Sequence, residues 1–263
     1  MAAELMACEA ERRDREPFTD EWLDLDLATG YAIQDHNLRR RLDRGERLVG
    51  VKLGLTSRAK QQRMGVYTPF VAWLTDAMAL PAGDPIPQHK LIHPRVEPEI
   101  VFVMGERLAG PGVTAARAMA AVETVRAGVE IIDSRYRNFR FAAPDVVADN
   151  ASSAAFVTGP IGLPPSELDL SLEATVIEVN GEVVDTATGA AVQGHPGEAL
   201  ALAANDLATR GHAIEAGQIV LTGGMTDAVS ALPEASIACH FTNLGSVFLN
   251  GGKRDSDRRD NPS

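Results

Sequence analysis

The sequence predicts an α+β fold, in which a small N-terminal helical region precedes a mixed β-sheet core. Apolar residues recur at helical spacing before residue 45, whereas short strand-like segments separated by turns begin at Leu48. Strands and helices then do not alternate strictly, which argues against a doubly wound parallel sheet. The chain has 263 residues, of which 45% are hydrophobic, so it is long enough to bury a sizeable core.

The N-terminal region, residues 1–45, is predicted to be largely helical. Apolar side chains follow one another there at the spacing of one helix face, at Leu27, Tyr31, Leu38 and Leu42. The glycine at position 45 is a typical helix stop. We assign the core to residues 46–250. The polar tail, residues 251–263, is expected to be disordered because it has few apolar side chains to bury.

Four segments of the core carry local structural signals. The run from Arg95 to Met104 is typical of a strand, and an alanine-rich helix is predicted from Thr114 to near Gly128. The Asn180-Gly181 pair predicts a tight type I′ hairpin turn, because both residues tolerate positive φ angles. A further helix is predicted from Glu198 to Arg210.

Composition excludes several classes of function. The formal net charge is -11 and aromatic residues make up 5% of the chain, so neither a phosphate backbone nor stacked bases are expected partners. No segment approaches the roughly 18 apolar residues that a membrane span requires. Cys8 and Cys239 are far apart and match no metal or redox spacing, so we expect no disulfide and a cytoplasmic location.

Three glutamates form the main candidate for a functional site. Glu97 and Glu99 are two residues apart in a predicted strand, so both carboxylates project from one face. Glu130 lies in the apolar run VEIID, where an ionised carboxylate is costly unless it is paired or bound to metal. Spacing alone does not require a metal. The pair also fits a solvated face or an arginine partner at position 95, and Glu130 fits a salt bridge with Arg126 or Arg135.

Six short segments carry a resemblance to a known family. They are KLGLTS from Lys52, HPRVEPEIVFV from His93, GVEIIDSRYRNF from Gly128, VADNASS from Val147, QGHP from Gln193 and LTGG from Leu221. Over roughly residues 20–250 the chain resembles the 2-oxopent-4-enoate hydratase and 4-oxalocrotonate decarboxylase group of the fumarylacetoacetate hydrolase superfamily. The resemblance implies the fold of that superfamily. It also implies that Glu97, Glu99 and Glu130 bind magnesium or manganese.

The resemblance suggests further site residues, each of which also fits an ordinary structural role. A lysine in an apolar strand often extends its ammonium group to solvent, but the family segment that matches Lys52 lines the active site and implies an acid–base or electrostatic role. The family has an aspartate, proposed as a proton-transfer group, at the position that matches Asp76. The sequence alone is equally consistent with Asp76 as a turn or capping residue. Ser152, Thr222 and Gly223 fall in segments implied to bind substrate, although turn chemistry alone accounts for them.

Within the family, three segments favour the decarboxylase branch: HPRVEPEI, DSRYRNF and VADNASS. The implied reaction converts 2-oxohex-3-enedioate to 2-hydroxypenta-2,4-dienoate and carbon dioxide in the meta-cleavage breakdown of aromatic compounds. One segment, GGMTDAVSALPEASI, departs from the family pattern because the expected Pro-Gly-Asp turn is missing.

Three alternatives and two kinds of partner are kept open. The alternatives to a decarboxylase are a hydratase on the same scaffold, a non-catalytic subunit that pairs with a hydratase, and a hydrolase of acylpyruvate C–C bonds. The last would need a water-activating histidine, which the sequence does not show in the expected place; His195 is interpreted as structural. We expect a small unsaturated 2-oxo acid as substrate, a homo-oligomer, and a complex with a hydratase.

Overall fold

The computed structural model describes residues 1–58, 61–62, 66–67 and 69–253 and confirms the α+β class. Its helices are α1 (Ala2–Glu11), α2 (Leu27–Asp43), α3 (Ala115–Ala120), α4 (Ala143–Ala148) and α5 (Pro196–Thr209). Its first six strands are β1 (Leu48–Gly54), β2 (Phe70–Thr75), β3 (Arg95–Met104), β4 (Val122–Ile132), β5 (Ser153–Leu163) and β6 (Ala174–Val179). The others are β7 (Glu182–Thr188), β8 (Ile219–Leu221), β9 (Val229–Ser230), β10 (Ser236–Phe241) and β11 (Gly245–Asn250).

The predicted N-terminal helices are present. Helix α2 begins after Asp26, whose side chain accepts a hydrogen bond from the backbone N–H of Thr29 at 2.8 Å and so satisfies one of the free donors of the first turn. Helix α2 packs against α4, which leads into β5. The N-terminal region therefore contacts the segment that precedes β5, an edge strand of the larger sheet.

The larger sheet has seven strands and mixed polarity. Its order is β2–β1–β8–β3–β4–β5, with the short β9 also paired to β3. Strands β1 and β8 are parallel, whereas the other neighbours are antiparallel. In the β3–β4 register Glu97 lies directly opposite Glu130. Directly opposed residues in a sheet have Cβ atoms about 5 Å apart, so this register brings the two carboxylates together.

The smaller sheet is antiparallel, in the order β11–β10–β6–β7. The β6–β7 hairpin has the predicted turn, with φ angles of 54° at Asn180 and 83° at Gly181. Residues of both sheets share the largest hydrophobic cluster, including Ile177 and Val247 of the smaller sheet and Val129 of the larger one. The core therefore lies between the two sheets.

One local prediction was wrong, and a second differs from the structure at its boundary. The helix expected from Thr114 to near Gly128 ends at Ala120, and the chain continues as β4 because the β-branched Val122, Thr124 and Val125 favour a strand. The tail expected to be disordered from residue 251 begins with ordered glycines. Both are buried, and the N–H of Gly251 donates to the carbonyl of Ala235 at 2.7 Å. Residues 254–263 lie outside the described residues.

Across the ranges that the structure describes, none of the helices combines the length and the apolar character needed to cross a membrane.

Candidate metal centre

Three carboxylates meet at the middle of the larger sheet. Glu97 and Glu99 project from one face of β3, and Glu130 comes from the opposing position of β4. One ligand atom from each of the three lies within 4.8 Å of the others. Glu99 and Glu130 are completely buried, whereas Glu97 is partly accessible. The three residues that the sequence singled out are therefore gathered at one point, with an approach from the Glu97 side.

The electrostatics of this cluster call for a cation. Burial raises the pKa of Glu99 well above its ordinary value, and the nearby charges of Glu130 and Glu97 raise it further. One oxygen of Glu99, Oε2, accepts a hydrogen bond from the N–H of Gly223 at 2.7 Å, while Oε1 is buried without a hydrogen-bond partner. A hard divalent cation with oxygen ligands satisfies such an oxygen and relieves the repulsion. The donor set thus fits magnesium or manganese.

Lys52 supplies the positive charge already present in the cluster. Its Nζ donates to Oε2 of Glu130 at 3.0 Å, and both side chains are almost fully buried. The hydroxyl of Ser153 donates to the other oxygen of Glu130 at 2.8 Å. Glu130 is therefore paired with Lys52 rather than with Arg126, which donates to backbone carbonyls.

Two glycines after β8 leave space for side chains of the site, Gly223 for Thr56 and Gly224 for Glu97. At Gly224, a Cβ would lie only 2.7 Å from the carboxyl carbon of Glu97. At Gly223, φ is +105° and a Cβ would lie 2.2 Å from the hydroxyl of Thr56. A side chain at Gly223 would be strained and would displace Thr56, whereas a side chain at Gly224 would displace the carboxylate of Glu97.

A cavity of ≈140 Å³ opens beside the cluster. Its polar lining includes Lys52, Glu97, Thr56 and Ser152. Its apolar lining includes Leu53, Phe70, Phe139, Phe141 and Val146. The cavity therefore combines a charged end at the carboxylates with an apolar wall, as expected for a site that binds a small organic anion.

The remaining sequence-predicted residues divide between the cavity and its surroundings. Ser152 lines the cavity, and its buried hydroxyl has no hydrogen-bond partner. Thr222 was expected to contact substrate, but its hydroxyl and its N–H both donate to the carbonyl of Ile100, so neither donor is available to a ligand. Gly223 likewise uses its N–H on Glu99 and supports the carboxylate rather than a substrate.

Asp76 does not line the cavity. Phe70, at the start of β2, lines the cavity, whereas Asp76 follows the last residue of β2. The two residues are six positions apart, which corresponds to about 20 Å of extended strand. The Asp76 carboxylate accepts from the backbone N–H of Arg47 at 2.9 Å and from the Arg47 guanidinium at 2.8 Å. These hydrogen bonds hold the pKa of Asp76 below its ordinary value. The prediction of a catalytic role for Asp76 is therefore not supported by its position.

Several residues at the site were not among the predicted ones. Ser153 and Gly224 are immediate neighbours of the predicted Ser152 and Gly223, and the resemblance identified the two segments without separating the roles within each pair. Phe139 lines the cavity with φ of +56°, which an aromatic residue rarely adopts. No sequence pattern predicts that placement.

The fold and the carboxylate cluster define a class of protein. Residues 47–249 match the family model of the fumarylacetoacetate hydrolase C-terminal domain, and the chain belongs to this family. The predicted family resemblance and the predicted fold are thereby confirmed. A structure of low identity, the fumarylpyruvate hydrolase of Pseudomonas aeruginosa, shares the fold with a TM-score of 0.59 at 15% identity, covering 80% of this chain and 90% of that one.

Particular relatives within the family are much more similar. The 4-oxalocrotonate decarboxylase of Pseudomonas putida is 42% identical over 247 residues, 94% of each chain. The solved structure of the 4-oxalocrotonate decarboxylase from Pseudomonas putida G7, complexed with magnesium and adipate, has a TM-score of 0.92 at 42% identity and covers 95% of both chains. The 2-hydroxypent-2,4-dienoate hydratase of Pseudomonas putida is 40% identical over 205 residues, 78% of this chain and 92% of that one.

Proposed function

We propose that this protein is a divalent-metal-dependent decarboxylase that converts 2-oxohex-3-enedioate to 2-hydroxypenta-2,4-dienoate and carbon dioxide. The observation that carries the proposal is the three-glutamate cluster with its unpartnered Glu99 oxygen, next to buried Lys52 and an apolar cavity. The choice of branch is supported by the relatives. Those named 4-oxalocrotonate decarboxylase are 42–46% identical to this chain, whereas the hydratases are 37–40% identical.

Glu97, Glu99 and Glu130 would hold the metal, which we take to be magnesium or manganese. When bound, such an ion supplies stabilisation of the negative charge that develops on the 2-oxo oxygen of the substrate. The chain provides the rest of the chemistry. The Ser152 hydroxyl, buried without a partner at the cavity wall, is placed to donate to a substrate carboxylate oxygen.

Lys52 is assigned the proton-transfer role. As carbon dioxide leaves, the electron pair of the broken bond moves through the conjugated double bond to the 2-oxygen, which gains a proton in the product. The Nζ of Lys52 lies at the cavity and is oriented by Glu130, so it is the donor that this geometry offers. Its positive charge also favours the anionic substrate.

The apolar wall favours decarboxylation over hydration. A carboxylate that leaves as neutral carbon dioxide loses its charge, so apolar surroundings such as Phe70 and Phe141 favour the product side of this step. Addition of water instead needs an ordered water molecule held by polar groups. The hydratase activity remains the second candidate, because hydratase relatives match most of the chain.

The test is an assay of the purified protein with magnesium and 2-oxohex-3-enedioate, in which carbon dioxide release and ultraviolet absorbance are followed together. We expect release that is lost on chelation and in Glu99→Gln, whose amide keeps the shape but not the charge of the carboxylate. Glu123→Gln is the matched control, because Glu123 is exposed on β4. Turnover of 2-hydroxypenta-2,4-dienoate without carbon dioxide release would assign the hydratase reaction instead.

Three further expectations belong to the proposal. The start of the family match at residue 47 supports the division into a helical region 1–45 and a core 46–250. Cys8 and Cys239 are both free and buried, which supports a reducing cytoplasm. A homo-oligomer and a complex with a hydratase are tested by light scattering of the protein alone and after mixing with that enzyme.

A further inference from the structure

Three successive residues at the cavity adopt a backbone conformation that favours glycine, although none of them is glycine. Between α4 and β5, φ is +50° at Asn150, +49° at Ala151 and +59° at Ser152. Each left-handed residue with a Cβ is unfavourable, and a run of them persists only when the surroundings fix it. Ala151 and Ser152 line the cavity beside the carboxylates. We call residues 149–153 the strained turn.

The strained turn is anchored at its start by a buried ion pair. Arg135 and Asp149 are 5% and 2% exposed. The guanidinium of Arg135 donates through Nε to the Asp149 carboxylate and through Nη2 to the Asp149 backbone carbonyl at 2.6 Å. The backbone N–H of Arg135 donates to the same carboxylate at 3.1 Å. The Arg135 side chain therefore forms hydrogen bonds with both the side chain and the backbone of Asp149, the first residue of the strained turn.

The side chain of Asn150 provides the second anchor. Its Oδ1 accepts from the N–H of Trp73 at 2.9 Å, and its Nδ2 donates to the carbonyl of Trp73 at 2.9 Å. The amide therefore forms with β2 the two hydrogen bonds that a neighbouring strand would form. At the far end, the carbonyl of Ser152 accepts from the N–H of Asp133 at 2.8 Å. The turn is consequently fixed from three sides.

The strained turn carries two serine hydroxyls, those of Ser152 and Ser153, which differ in their hydrogen bonding. Ser153 donates to Glu130 at 2.8 Å, so its hydroxyl is already occupied within the carboxylate cluster. Ser152, the preceding residue, is 3% exposed at the cavity and its hydroxyl has no partner. Because Ser153 pairs with Ile132 in the β4–β5 register and is fixed by the sheet itself, the anchors at Arg135 and Asn150 act chiefly on Ser152.

We propose that the Arg135–Asp149 ion pair and the Asn150 amide are positioning residues, which hold the Ser152 hydroxyl as a hydrogen-bond donor for a carboxylate of the substrate. The inference rests on the proposed function, since it takes a small 2-oxo dicarboxylate as the ligand. Neither anchor is assigned contact with substrate. Their substitution therefore weakens substrate binding through Ser152 and leaves the metal ligands in place.

The experiment is a double-mutant cycle on the full-length protein with magnesium. Arg135→Lys keeps the positive charge but loses the planar guanidinium group, whose two nitrogens donate to the carboxylate and to the backbone carbonyl of Asp149. We expect Arg135→Lys and Ser152→Ala each to raise KM about tenfold with little change in kcat, the loss typical of one hydrogen bond to a charged group. In the double variant KM should rise no further than in Ser152→Ala alone, because the anchor acts through that hydroxyl.

Binding of 2-oxohexanedioate, a saturated analogue without the conjugated double bond, is measured by calorimetry as a readout independent of turnover. It should weaken about tenfold in the same variants, while magnesium affinity stays at the wild-type value. Arg126→Lys is the matched control, because the Arg126 guanidinium donates to the backbone carbonyls of Gly159 and Pro160 and its substitution should leave KM unchanged.

Additive effects in the cycle, or an unchanged KM in Arg135→Lys, would overturn the inference and reduce the ion pair to a stabilising contact. If Arg135→Lys does not fold, the same cycle is run with Asn150→Gly, which suits a positive φ and removes the two hydrogen bonds to Trp73. A wild-type protein that neither binds the analogue nor turns over substrate would instead contradict the proposed function, so the two failures are distinguishable.

Discussion

Substitution of Gly224 by alanine isolates the orientation of one carboxylate. The new Cβ would lie 2.7 Å from the carboxyl carbon of Glu97 and 2.9 and 3.0 Å from its two oxygens. Gly224 does not have a positive φ, so alanine adds no backbone strain there. Because the group in the way is the far end of a flexible side chain, the Glu97 carboxylate should move while the backbone stays in place.

The size of the effect follows from the distances. Ordinary van der Waals contact begins at 3.4 Å, so the carboxyl carbon must move by 3.4 − 2.7 = 0.7 Å. Metal–oxygen distances tolerate only about 0.2 Å, so this shift removes Glu97 from a productive geometry. Disturbances around metal ligands typically cost about 10–100-fold in affinity. This corresponds to about 1.4–2.8 kcal/mol of magnesium-binding free energy.

The assay is a calorimetric titration of the metal-free protein with magnesium, together with urea unfolding without metal. We expect weaker magnesium binding in Gly224→Ala, a free energy of unfolding within about 1 kcal/mol of wild type, and recovery of activity at high magnesium. Gly159→Ala is the control, since its Cβ meets nothing closer than 3.3 Å and the atoms that it meets belong to Ala127 and Val247 rather than to a carboxylate. Wild-type magnesium affinity in Gly224→Ala would refute the reasoning that Glu97 orientation sets the affinity.

Three other substitutions or conditions test the site. Lys52→Met leaves Glu130 buried without its cation, so the metal-free free energy of unfolding should fall by about 3–5 kcal/mol in urea, and kcat should fall at least about 100-fold. Asp76→Asn should keep kcat/KM within about twofold, because Asp76 pairs with Arg47 outside the cavity; a larger loss would restore its catalytic role. The pKa of Glu99 is raised above its ordinary 4.5 in the metal-free folded protein, so the native state binds a proton that the unfolded chain releases. Metal-free stability should therefore fall as pH rises above 4.5 towards the raised pKa, which urea unfolding at several pH values measures, and a rise over that range would contradict it.

Strand alternation was enough to predict part of the carboxylate cluster. Glu97 and Glu99 share a face of β3 because they are two residues apart, and this follows from the sequence. The position of Glu130 opposite Glu97 depends on the β3–β4 register, which is set by packing across the whole sheet. The resemblance to the family supplied that third ligand, and spacing alone did not.

Side-chain direction accounts for the predictions that the structure does not support. The LTGG segment is at the site, yet the Thr222 side chain turns back to the carbonyl of Ile100 and only Gly224 faces the cavity. Asp76 is close in sequence to the cavity-lining Phe70, but an extended strand carries it away at about 3.3 Å per residue. A motif locates a segment, whereas the hydrogen bonds of its neighbours decide which atom reaches a ligand.

The N-terminal region, residues 1–45, lies outside the family match but forms hydrogen bonds with segments near the cavity. The family match begins at residue 47, yet the N–H of Arg15 donates to the carbonyl of Arg135, and the hydroxyl of Thr19 donates to buried Asp145 at 2.6 Å. Arg135 anchors the strained turn, and Asp145 lies in α4, next to the cavity-lining Val146. Residues before position 45 thus hold the backbone of one cavity wall. The N-terminal region is thus bonded to the segments around the cavity, even though it contributes no carboxylate to the cluster.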